Sequence, residues 1–451
     1  MGRRFVIFLA LSVLAAITAN AALSGASFTT VSSTTVRAST APVTDDRLQL
    51  YAGNGQSATA GTAVTTAQSV LVSDANNNPV GGVTVTFVVD SGGGSATGAI
   101  ATTNASGIAT VGSWTLGTTA GANSLTATSA GLTGSPVTFT ATGIAGAATK
   151  YVVTSSSYSP AAGSAVTITA QLADQYGNAV TTAGISVTFT STGGGTLSGT
   201  NPATTNVIGV ATITLTTGTT AGASYTVTAT STSPSTRTGT TPTITAVAGP
   251  ATKIAVSAGN GQSATAGTAV TTAPSVLVTD ANNNPVSGVT VTFTVYTGGG
   301  SVTGASATTN ASGIAAVGSW TLGTAAGANS LTATSAGLTG SPVTFTATGV
   351  AGAATKYVVT SSSYTPVAGV GVTITAQLAD QFGNAVKTSG IVVTWSKTGA
   401  GGSFASGTST TNTNGIATVL FTTGTPAGIT YVISATDGSS RSGTAPSITT
   451  R

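Results

Sequence analysis

Asp74-Ala-Asn-Asn-Asn-Pro-Val80, followed by Gly-Gly-Val-Thr-Val-Thr-Phe87, is a segment whose residue pattern predicts how the whole chain folds. Its first half favours chain reversal, because Asp and Asn side chains cap their own backbone and proline fixes φ. Its second half alternates apolar residues with threonine, which is the period of a strand with one buried face. The stretch therefore predicts a turn that leads into a half-buried β-strand.

Three further copies of this stretch follow along the chain. They begin at Asp174, Asp280 and Asp380, and the apolar positions of the strand after each include a large aromatic residue, namely Phe189, Phe293 and Trp395. Asp74 and Asp280 lie 206 residues apart, as do Asp174 and Asp380, whereas neighbouring copies lie 100, 106 and 100 residues apart. The spacing indicates four repeats of two alternating types, A-B-A-B, and hence the duplication of a two-repeat unit.

Each repeat also contains a second apolar segment, which we predict to be a single strand and which opens at Gly107, Gly209, Gly313 or Gly415. The segment leads to a large apolar residue three positions before a glycine: Trp114, Leu215, Trp320 and Phe421. About seven short strands in roughly 100 residues, with turn signals every 8 to 12 residues, are typical of an immunoglobulin-like β-sandwich. We predict an all-β fold of four tandem immunoglobulin-like sandwiches, arranged as an extended rod.

The N-terminal residues have the features of an export signal. A basic start, an apolar run from Phe5 to Ile17 and the small residues of Ala19-Asn-Ala21 predict a signal peptide over residues 1–21. The run of about 13 residues is shorter than the ~20 that a membrane helix needs, so no membrane span is expected in the mature chain. A single-pass anchor is the alternative. We expect a secreted or cell-surface protein, in which the Ser/Thr-rich residues 22–45 form a tether.

The predicted repeats have short connections. Residues 46–145 and 250–351 form the type A domains, and residues 146–249 and 352–451 form the type B domains. The connections are the hinges Gly143-Ile-Ala-Gly146, Ala248-Gly249-Pro250 and Gly349-Val-Ala-Gly352. Hinges of this length do not let domains tumble independently, so we expect a semi-rigid array with a reach on the order of 100 to 150 Å.

Composition excludes several classes of function. Only 4% of the residues are charged, and the chain has no His, Cys or Glu, so no disulfide joins the sheets. Without Arg3 and Arg4 of the signal peptide, the chain has ten basic residues and eight Asp, so its net charge is +2. A charge that weak and scattered does not indicate a nucleic-acid partner.

Acid–base and nucleophilic catalysis usually need His, Cys or Glu, which are the residue types that this chain lacks. We therefore predict no enzyme, no cofactor and no catalytic residue.

One motif has a metal-binding alternative. Asp74-x-Asn76-x-Asn78 and its copy Asp280-x-Asn282-x-Asn284 are similar to the start of a calcium loop. They lack the later bidentate Glu and the sixth-position Gly of such loops. The simpler interpretation is a turn capped by its own Asp side chain. We predict no metal site and leave weak calcium binding at the two turns open.

Two further features have a functional and a structural interpretation. The triplets Gly92-Gly-Gly94, Gly193-Gly-Gly195 and Gly298-Gly-Gly300 are compatible with phosphate binding, but no helix with Lys-Ser/Thr follows them, which favours loops between strands. Trp114, Trp320 and Trp395 are candidates for stacking on sugars. Their place in the apolar alternation favours a position in the core.

The repeated motifs resemble a known family. Asp-x-x-x-Asn-x-Val-x-Gly-Val-x-Val-x-Phe at residues 74–87, the glycines at 92–94 and Thr-x-x-x-Gly-Ile-Ala at 103–109 resemble the group 1 bacterial immunoglobulin-like repeat of the invasin and intimin adhesins. The resemblance extends from about residue 46 to the last residue, four times over. It implies a bacterial cell-surface or secreted protein whose repeats hold an adhesive tip away from the envelope. The cysteine-bearing lectin-like tip of those adhesins has no counterpart in a chain without cysteine.

We therefore expect a non-enzymatic adhesin-type stalk or spacer for cell adhesion. Its expected partner is a protein or glycan on the surface of a host or neighbouring cell, and its oligomeric state is left open. The alternative is a soluble module that binds a carbohydrate or a host protein through loops between strands. Ser155-Ser-Ser-Tyr-Ser-Pro160 and Ser361-Ser-Ser-Tyr-Thr-Pro366 are the loops that this alternative would use.

Overall fold

The computed structural model describes residues 47–451, which form β-strands, turns and loops. The predicted signal peptide and tether lie outside the described residues. Within residues 47–451 no helix is long and apolar enough to span a membrane. The described chain divides into two compact units: residues 47–158, Ala165–Thr216 and Ser224–Ile244 form unit 1, and Ser159–Ser164, Thr217–Ala223 and Thr245–Arg451 form unit 2.

The type A repeats have matching strands. In repeat 1 these are β1 Arg47–Ala52, β2 Gln56–Thr59, β3 Ser69–Ser73, β4 Thr84–Ser91, β5 Gly94–Thr97, β6 Ile100–Thr102, β7 Ile108–Thr110, β8 Ser113–Leu116, β9 Gly121–Thr128 and β10 Val137–Ile144. In repeat 3 they are β21 Lys253–Ala258, β22 Gln262–Thr265, β23 Ser275–Thr279, β24 Thr290–Thr297, β25 Gly300–Thr303, β26 Ser306–Thr308, β27 Ile314–Ala316, β28 Ser319–Leu322, β29 Gly327–Thr334 and β30 Val343–Val350.

The type B repeats match each other in the same way. In repeat 2 the strands are β11 Lys150–Ser155, β12 Ala165–Ala173, β13 Ser186–Ser191, β14 Thr196–Ser198, β15 Ala203–Thr204, β16 Val210–Thr216, β17 Ser224–Tyr225, β18 Val227–Ser231, β19 Arg237–Thr240 and β20 Ile244–Thr245. In repeat 4 they are β31 Lys356–Ser361, β32 Gly371–Ala379, β33 Val392–Lys397, β34 Ser403–Phe404, β35 Thr408–Thr410, β36 Ile416–Thr422, β37 Thr430–Tyr431, β38 Ile433–Asp437, β39 Ser442–Thr444 and β40 Ile448–Thr449.

The sheets differ between the two types of repeat. Repeat 1 has sheets in the order β1-β3-β7, β2-β10-β9-β4-β6 and β5-β8, and repeat 3 has the same pattern. Repeat 2 has β11-β12-β16-β14, β15-β13-β18-β19 and β17-β20, and repeat 4 again matches it. β2 runs parallel to β10 and β22 to β30, whereas the long strands pair antiparallel with their other neighbours. The all-β prediction is confirmed, and the A-B-A-B alternation is visible in the strand order.

The sheets differ at a segment where the type A repeats have one extra residue. The second apolar segment was predicted as a single strand, and β16 of repeat 2 is such a strand, paired with both β12 and β14. In repeat 1 the segment is one residue longer, and it splits at Gly112 into β7, which pairs with β3, and β8, which pairs with β5. A Cβ at Gly112 would lie 2.8 Å from Thr97 Oγ1, so only glycine permits this close crossing.

The core lies where the alternation predicted it. In β4, Val85 and Phe87 are buried, whereas Thr84 on the opposite face is exposed. Trp114 and Trp320 are fully buried and Trp395 is 5% exposed. Their assignment to the core is confirmed, and the sugar-stacking interpretation is wrong because an aromatic face without exposure cannot stack on a ligand.

The number of strands was underestimated. Each repeat contains ten strands instead of about seven, because several have only two to four residues. Segments such as β17 and β20 are too short to show an alternating pattern. They are recognisable only by the partner strand that each one pairs with.

Trp395 provides a test of the core of repeat 4. Its Nε1 donates a hydrogen bond to Ser409 Oγ at 3.0 Å, and its ring centroid lies 6.4 Å from that of Phe404. We expect Trp395→Ala to lower the free energy of unfolding by about 3 to 5 kcal/mol, through loss of buried area and formation of a cavity, and to unfold mainly repeat 4.

Scanning calorimetry and urea unfolding followed by circular dichroism would measure the effect. The matched control is Val392→Thr, which changes a 54% exposed side chain in the same strand and keeps β-branching. The control should change stability by less than about 0.5 kcal/mol. A loss below about 1 kcal/mol for Trp395→Ala would contradict the core assignment.

Candidate functional site at the joints between repeats

The Asp-x-x-x-Asn turns organise their own backbone first. In repeat 2, Asp174 Oδ1 accepts hydrogen bonds from the N–H groups of Tyr176 at 2.9 Å and Asn178 at 3.0 Å. Asp174 Oδ2 accepts a third bond from Asn178 Nδ2 at 2.9 Å. The turns at Asp74, Asp280 and Asp380 have the same three bonds. The interpretation as a turn capped by its Asp side chain is confirmed.

The turn of repeat 2 also binds repeat 1, within unit 1. Asn178 Nδ2 donates to the carbonyl oxygen of Thr118 at 2.8 Å, and Asn178 Oδ1 accepts from the N–H of Ala120 at 2.7 Å. The hinge contributes as well, because the N–H of Gly146 donates to Asp174 Oδ2 at 2.9 Å. We call this set of contacts, formed by the turn, the hinge and the loop of the preceding repeat, a joint.

A second joint is formed by the turn of repeat 3, within unit 2. Asn284 Nδ2 donates to the carbonyl oxygen of Thr219 at 2.9 Å, and Asn284 Oδ1 accepts from the N–H of Ala221 at 2.8 Å. The N–H of Gly249 donates to Asp280 Oδ2 at 2.8 Å. The bonds match those of the first joint atom for atom.

The turn of repeat 4 forms the third joint, also within unit 2. Asn384 Nδ2 donates to the carbonyl oxygen of Thr324 at 2.8 Å, and Asn384 Oδ1 accepts from the N–H of Ala326 at 2.7 Å. The N–H of Gly352 donates to Asp380 Oδ2 at 2.9 Å. Each hinge is therefore tied to the turn that follows it, which limits its freedom to rotate.

In the type B turns, the third residue covers a glycine of the preceding repeat. A Cβ at Gly61 would lie 2.8 Å from Tyr176 Oη, so the tyrosine leaves no room for a side chain there. Phe382 lies over Gly267 in the same way, with a Cβ at Gly267 2.8 Å from Phe382 Cε2. An aromatic ring that covers a glycine adds apolar contact to the polar bonds of the joint.

The joint carboxylates stay ionised. Burial by itself raises the pKa of Asp174, but hydrogen bonds, of which that from the Asn178 side chain is the largest, outweigh it and hold the pKa at about 2. The pKa of Asp380 is about 2 for the same reasons, with Asn384 as the main donor. Burial also opposes ionisation of Asp280, and its hydrogen bonds again lower its pKa. A buried carboxylate with this many N–H donors is fully satisfied.

The hydrogen bonds to the Asp oxygens of the turns also bear on the alternative of calcium binding. Both oxygens of Asp74 and of Asp280 already accept N–H donors from their own turns, which is the opposite of an open oxygen cage. The described part of the chain has no group of three or more His, Cys, Asp or Glu side chains that could hold a metal ion. Weak calcium binding stays an untested alternative.

The other candidate residues lie in loops or at strand ends. The glycine triplets connect strands, as Gly92 to Gly94 do between β4 and β5. Tyr158 and Tyr364, in the loops of the ligand-binding alternative, are 39% and 37% exposed. Their hydroxyl oxygens accept N–H bonds from Ser155 and Ser361 at 3.3 and 3.2 Å, so both loops are ordered locally. Ligand binding through them stays a prediction.

Sequence reasoning identified the turns but not the joints. The signal was present, because Asn recurs at the fifth position of all four turns and Gly-Thr-x-Ala-Gly recurs in all four repeats, at Gly117, Gly218, Gly323 and Gly424. The two segments lie far apart in the chain, and nothing in their local pattern indicates that they meet.

Asn178→Ala tests the first joint. We expect hydrogen exchange at residues 118–122 and 143–149 to become about thirtyfold faster, because two bonds across the joint, each worth about 1 kcal/mol, are lost. Exchange read by mass spectrometry on the full chain would measure this. The matched control is Asn206→Ala, which removes an Asn whose Oδ1 caps a turn away from the joint. Equal exchange in Asn178→Ala and wild type would show that the joint contributes nothing.

The lowered pKa of the Asp side chains in the joints predicts that the stability of the protein depends on pH. A folded pKa of about 2 for Asp174 lies below its ordinary value of 3.8, so its contribution to stability is present above about pH 4 and is lost as the pH falls towards 2. Urea midpoints measured from pH 5 to pH 2 should fall in wild type, and fall less steeply in Asp174→Asn. Parallel pH curves for the two proteins would contradict this account of the joint.

Comparison with known proteins comes from solved structures, since neither a protein-family model nor a curated protein sequence matches the chain. The chain is similar to the Escherichia coli adhesin FdeC, at 19% identity over 68% of this chain and 99% of that chain, with a TM-score of 0.39. It is similar to Yersinia pseudotuberculosis InvD, at 20% identity over 66% and 97% of the chains, with a TM-score of 0.36. Invasin, a bacterial integrin-binding protein, is 20% identical over 88% and 78% of the chains, with a TM-score of 0.33. These three structures are of the invasin/intimin-like group that the sequence motifs of this chain resemble.

Proposed function

We propose that the chain is a non-enzymatic, adhesin-type repeat protein that acts as a stalk or spacer outside a bacterial cell. The observation that supports this proposal is that the same joint recurs between successive repeats. Three successive turns each bind the repeat before them through the same Asn side chain and tie down the hinge through the same Asp. Repeats joined in this way hold whatever they present at a defined distance, which is the task of a stalk.

The domain division of the proposal follows the repeats. It has four immunoglobulin-like domains, over residues 46–145, 146–249, 250–351 and 352–451, and gives each a core of its own. The cores identified for repeats 1, 3 and 4 contain only residues of the same repeat. A stalk built from separate cores transmits no folding defect far along the chain, because each repeat contacts only its neighbours.

The surface of the repeats also fits a spacer better than a catalyst. Shallow hollows in repeats 1 and 2 are lined mainly by glycine, serine and threonine, without a charged side chain. Exposed strand positions carry threonine, as in β4 and β10, which keeps a half-buried sheet hydrated without charge. The proposed partner is a protein or glycan on another cell.

Small-angle scattering of the chain from residue 22 tests the stalk. We expect a largest dimension on the order of 100 to 150 Å, from four sandwiches placed in line. The variant with Asn178, Asn284 and Asn384 all changed to Ala should show a broader distance distribution, because all three joints lose their side-chain bonds.

The control is the variant with Asn104, Asn206 and Asn310 changed to Ala, since these residues cap turns that take no part in a joint. Its distance distribution should match that of wild type. A wild-type radius of gyration near the roughly 22 Å of a single globule of this length would overturn the stalk.

A further inference from the structure

The two type B repeats differ at one cluster of polar side chains. In repeat 4, Asp437 Oδ2 accepts hydrogen bonds from Tyr357 Oη at 2.8 Å and from Arg441 Nε at 2.7 Å. The side chain of Asp437 is only 1% exposed. A buried carboxylate at the end of β38 therefore joins a phenol to a guanidinium, and its negative charge is balanced by the arginine.

Repeat 2 keeps the arginine of this cluster and replaces the aspartate. Strand β18 ends at Ser231 where β38 ends at Asp437. Strand β19 begins at Arg237, two positions before a glycine, and Arg441 likewise lies two positions before a glycine in repeat 4. Ser231 and Arg237 are directly opposite each other in the ladder. A serine thus stands beside the arginine where repeat 4 has a carboxylate.

The tyrosine of the cluster has the same position in both repeats. A Cβ at Gly239 would lie 3.0 Å from Tyr151 Cβ, and a Cβ at Gly443 would lie 2.9 Å from Tyr357 Cβ. Both tyrosines are 3% exposed. The two rings therefore pack in the same way, that of repeat 2 between β11 and β19 and that of repeat 4 between β31 and β39.

The polar groups of the repeat 2 cluster are not satisfied by the protein. Within residues 47–451, the buried atoms Tyr151 Oη and Ser231 Oγ form no hydrogen bond. Arg237 is 9% exposed, and its Nε and Nη1 donate to the carbonyl oxygens of Ala148 at 3.0 Å and Ser235 at 3.4 Å. It forms no ion pair with a carboxylate of the described chain. A buried charge without a counter-charge and two buried hydroxyl groups without a partner all oppose folding.

The ligand that these groups fit is small and carries one negative charge. Arg237 supplies a single positive charge, so a dianion would bring one buried negative charge without a partner. The guanidinium fork matches the two oxygens of a carboxylate, and a carboxylate is also the group that repeat 4 uses at this place. Ser231 and the loop residues that follow it, Thr232 to Pro234, line one of the shallow hollows of repeat 2, which gives a small anion a short route from solvent.

We propose that repeat 2 binds a small monocarboxylate anion, of the size of formate or acetate, between Arg237, Tyr151 Oη and Ser231 Oγ. The arginine supplies the charge, and the two hydroxyl groups donate to the carboxylate oxygens. The bound anion does in repeat 2 what the side chain of Asp437 does in repeat 4. Because it binds the folded repeat, it stabilises repeat 2 in proportion to its concentration in the surrounding medium. The inference does not depend on the adhesion role.

Hydrogen exchange of the full chain, read by mass spectrometry while sodium formate replaces sodium chloride at constant ionic strength, tests the proposal. Exchange at residues 148–153 and 227–239 of repeat 2 should slow as formate rises, by about tenfold once formate reaches about ten times its Kd. Residues 354–359 and 433–443 of repeat 4 are the control within the same molecule. Their exchange should not change, because Asp437 already fills the equivalent place.

Exchanging the two side chains between the repeats gives the sharper result. Ser231→Asp supplies the carboxylate from the chain itself, so repeat 2 should no longer respond to formate. Asp437→Ser removes the carboxylate of repeat 4, so residues 354–359 and 433–443 should become sensitive to formate as those of repeat 2 are in wild type.

A third substitution tests the charge. Arg237→Gln should abolish the response of repeat 2 to formate. The matched control is Thr238→Gln, at an exposed position of the same strand, which should respond like wild type. Repeats 2 and 4 of wild type that respond equally to formate, or not at all, would refute the proposal, and so would a response that survives in Ser231→Asp.

Discussion

The structure depends on the way a buried aspartate is satisfied. A carboxylate that is 1% exposed, as Asp174 is, needs a donor for each of its hydrogen-bonding positions. Two backbone N–H groups and an Asn side chain come from its own turn, and the fourth donor is the hinge at Gly146. Because one carboxylate binds the turn and the hinge together, the path of the chain from one repeat to the next is part of the hydrogen-bond network.

The asparagine extends this network across the joint. An amide side chain has both donors and an acceptor. The Nδ2 group of Asn178 donates to Asp174 and to Thr118, and its Oδ1 accepts from the N–H of Ala120, so a single residue bridges two repeats. The negative charge of the turn thus lies where hydrogen bonds stabilise it. Only 4% of the residues of the chain are charged. A protein without cysteine can in this way join successive sandwiches without a covalent crosslink.

Duplication preserved the joints but allowed the rest of the repeats to diverge. In repeat 4, Tyr357 Oη and Arg441 Nε both donate to Asp437 Oδ2, at 2.8 and 2.7 Å. The equivalent positions in repeat 2 are Tyr151 and Ser231, whose buried hydroxyl groups have no hydrogen-bond partner within the described chain. The two type B repeats therefore share a backbone and differ in buried polar contacts, which implies that backbone pairing and apolar packing are enough to specify this fold.

The strand periodicity, the two alternating types of repeat and the burial of three tryptophans could all be predicted from the sequence, because each is expressed in a spacing that local sterics and burial impose. These tryptophans are Trp114, Trp320 and Trp395. Other features depend on contacts between segments that are distant in the chain. Whether the second apolar segment stays one strand or splits at Gly112 depends on how closely Thr97 approaches it. That a turn also serves as a joint depends on Asn178 meeting Thr118, 60 residues earlier in the chain. A hydrogen bond between distant segments leaves no periodic trace in either one, so only the folded arrangement of neighbouring repeats reveals it.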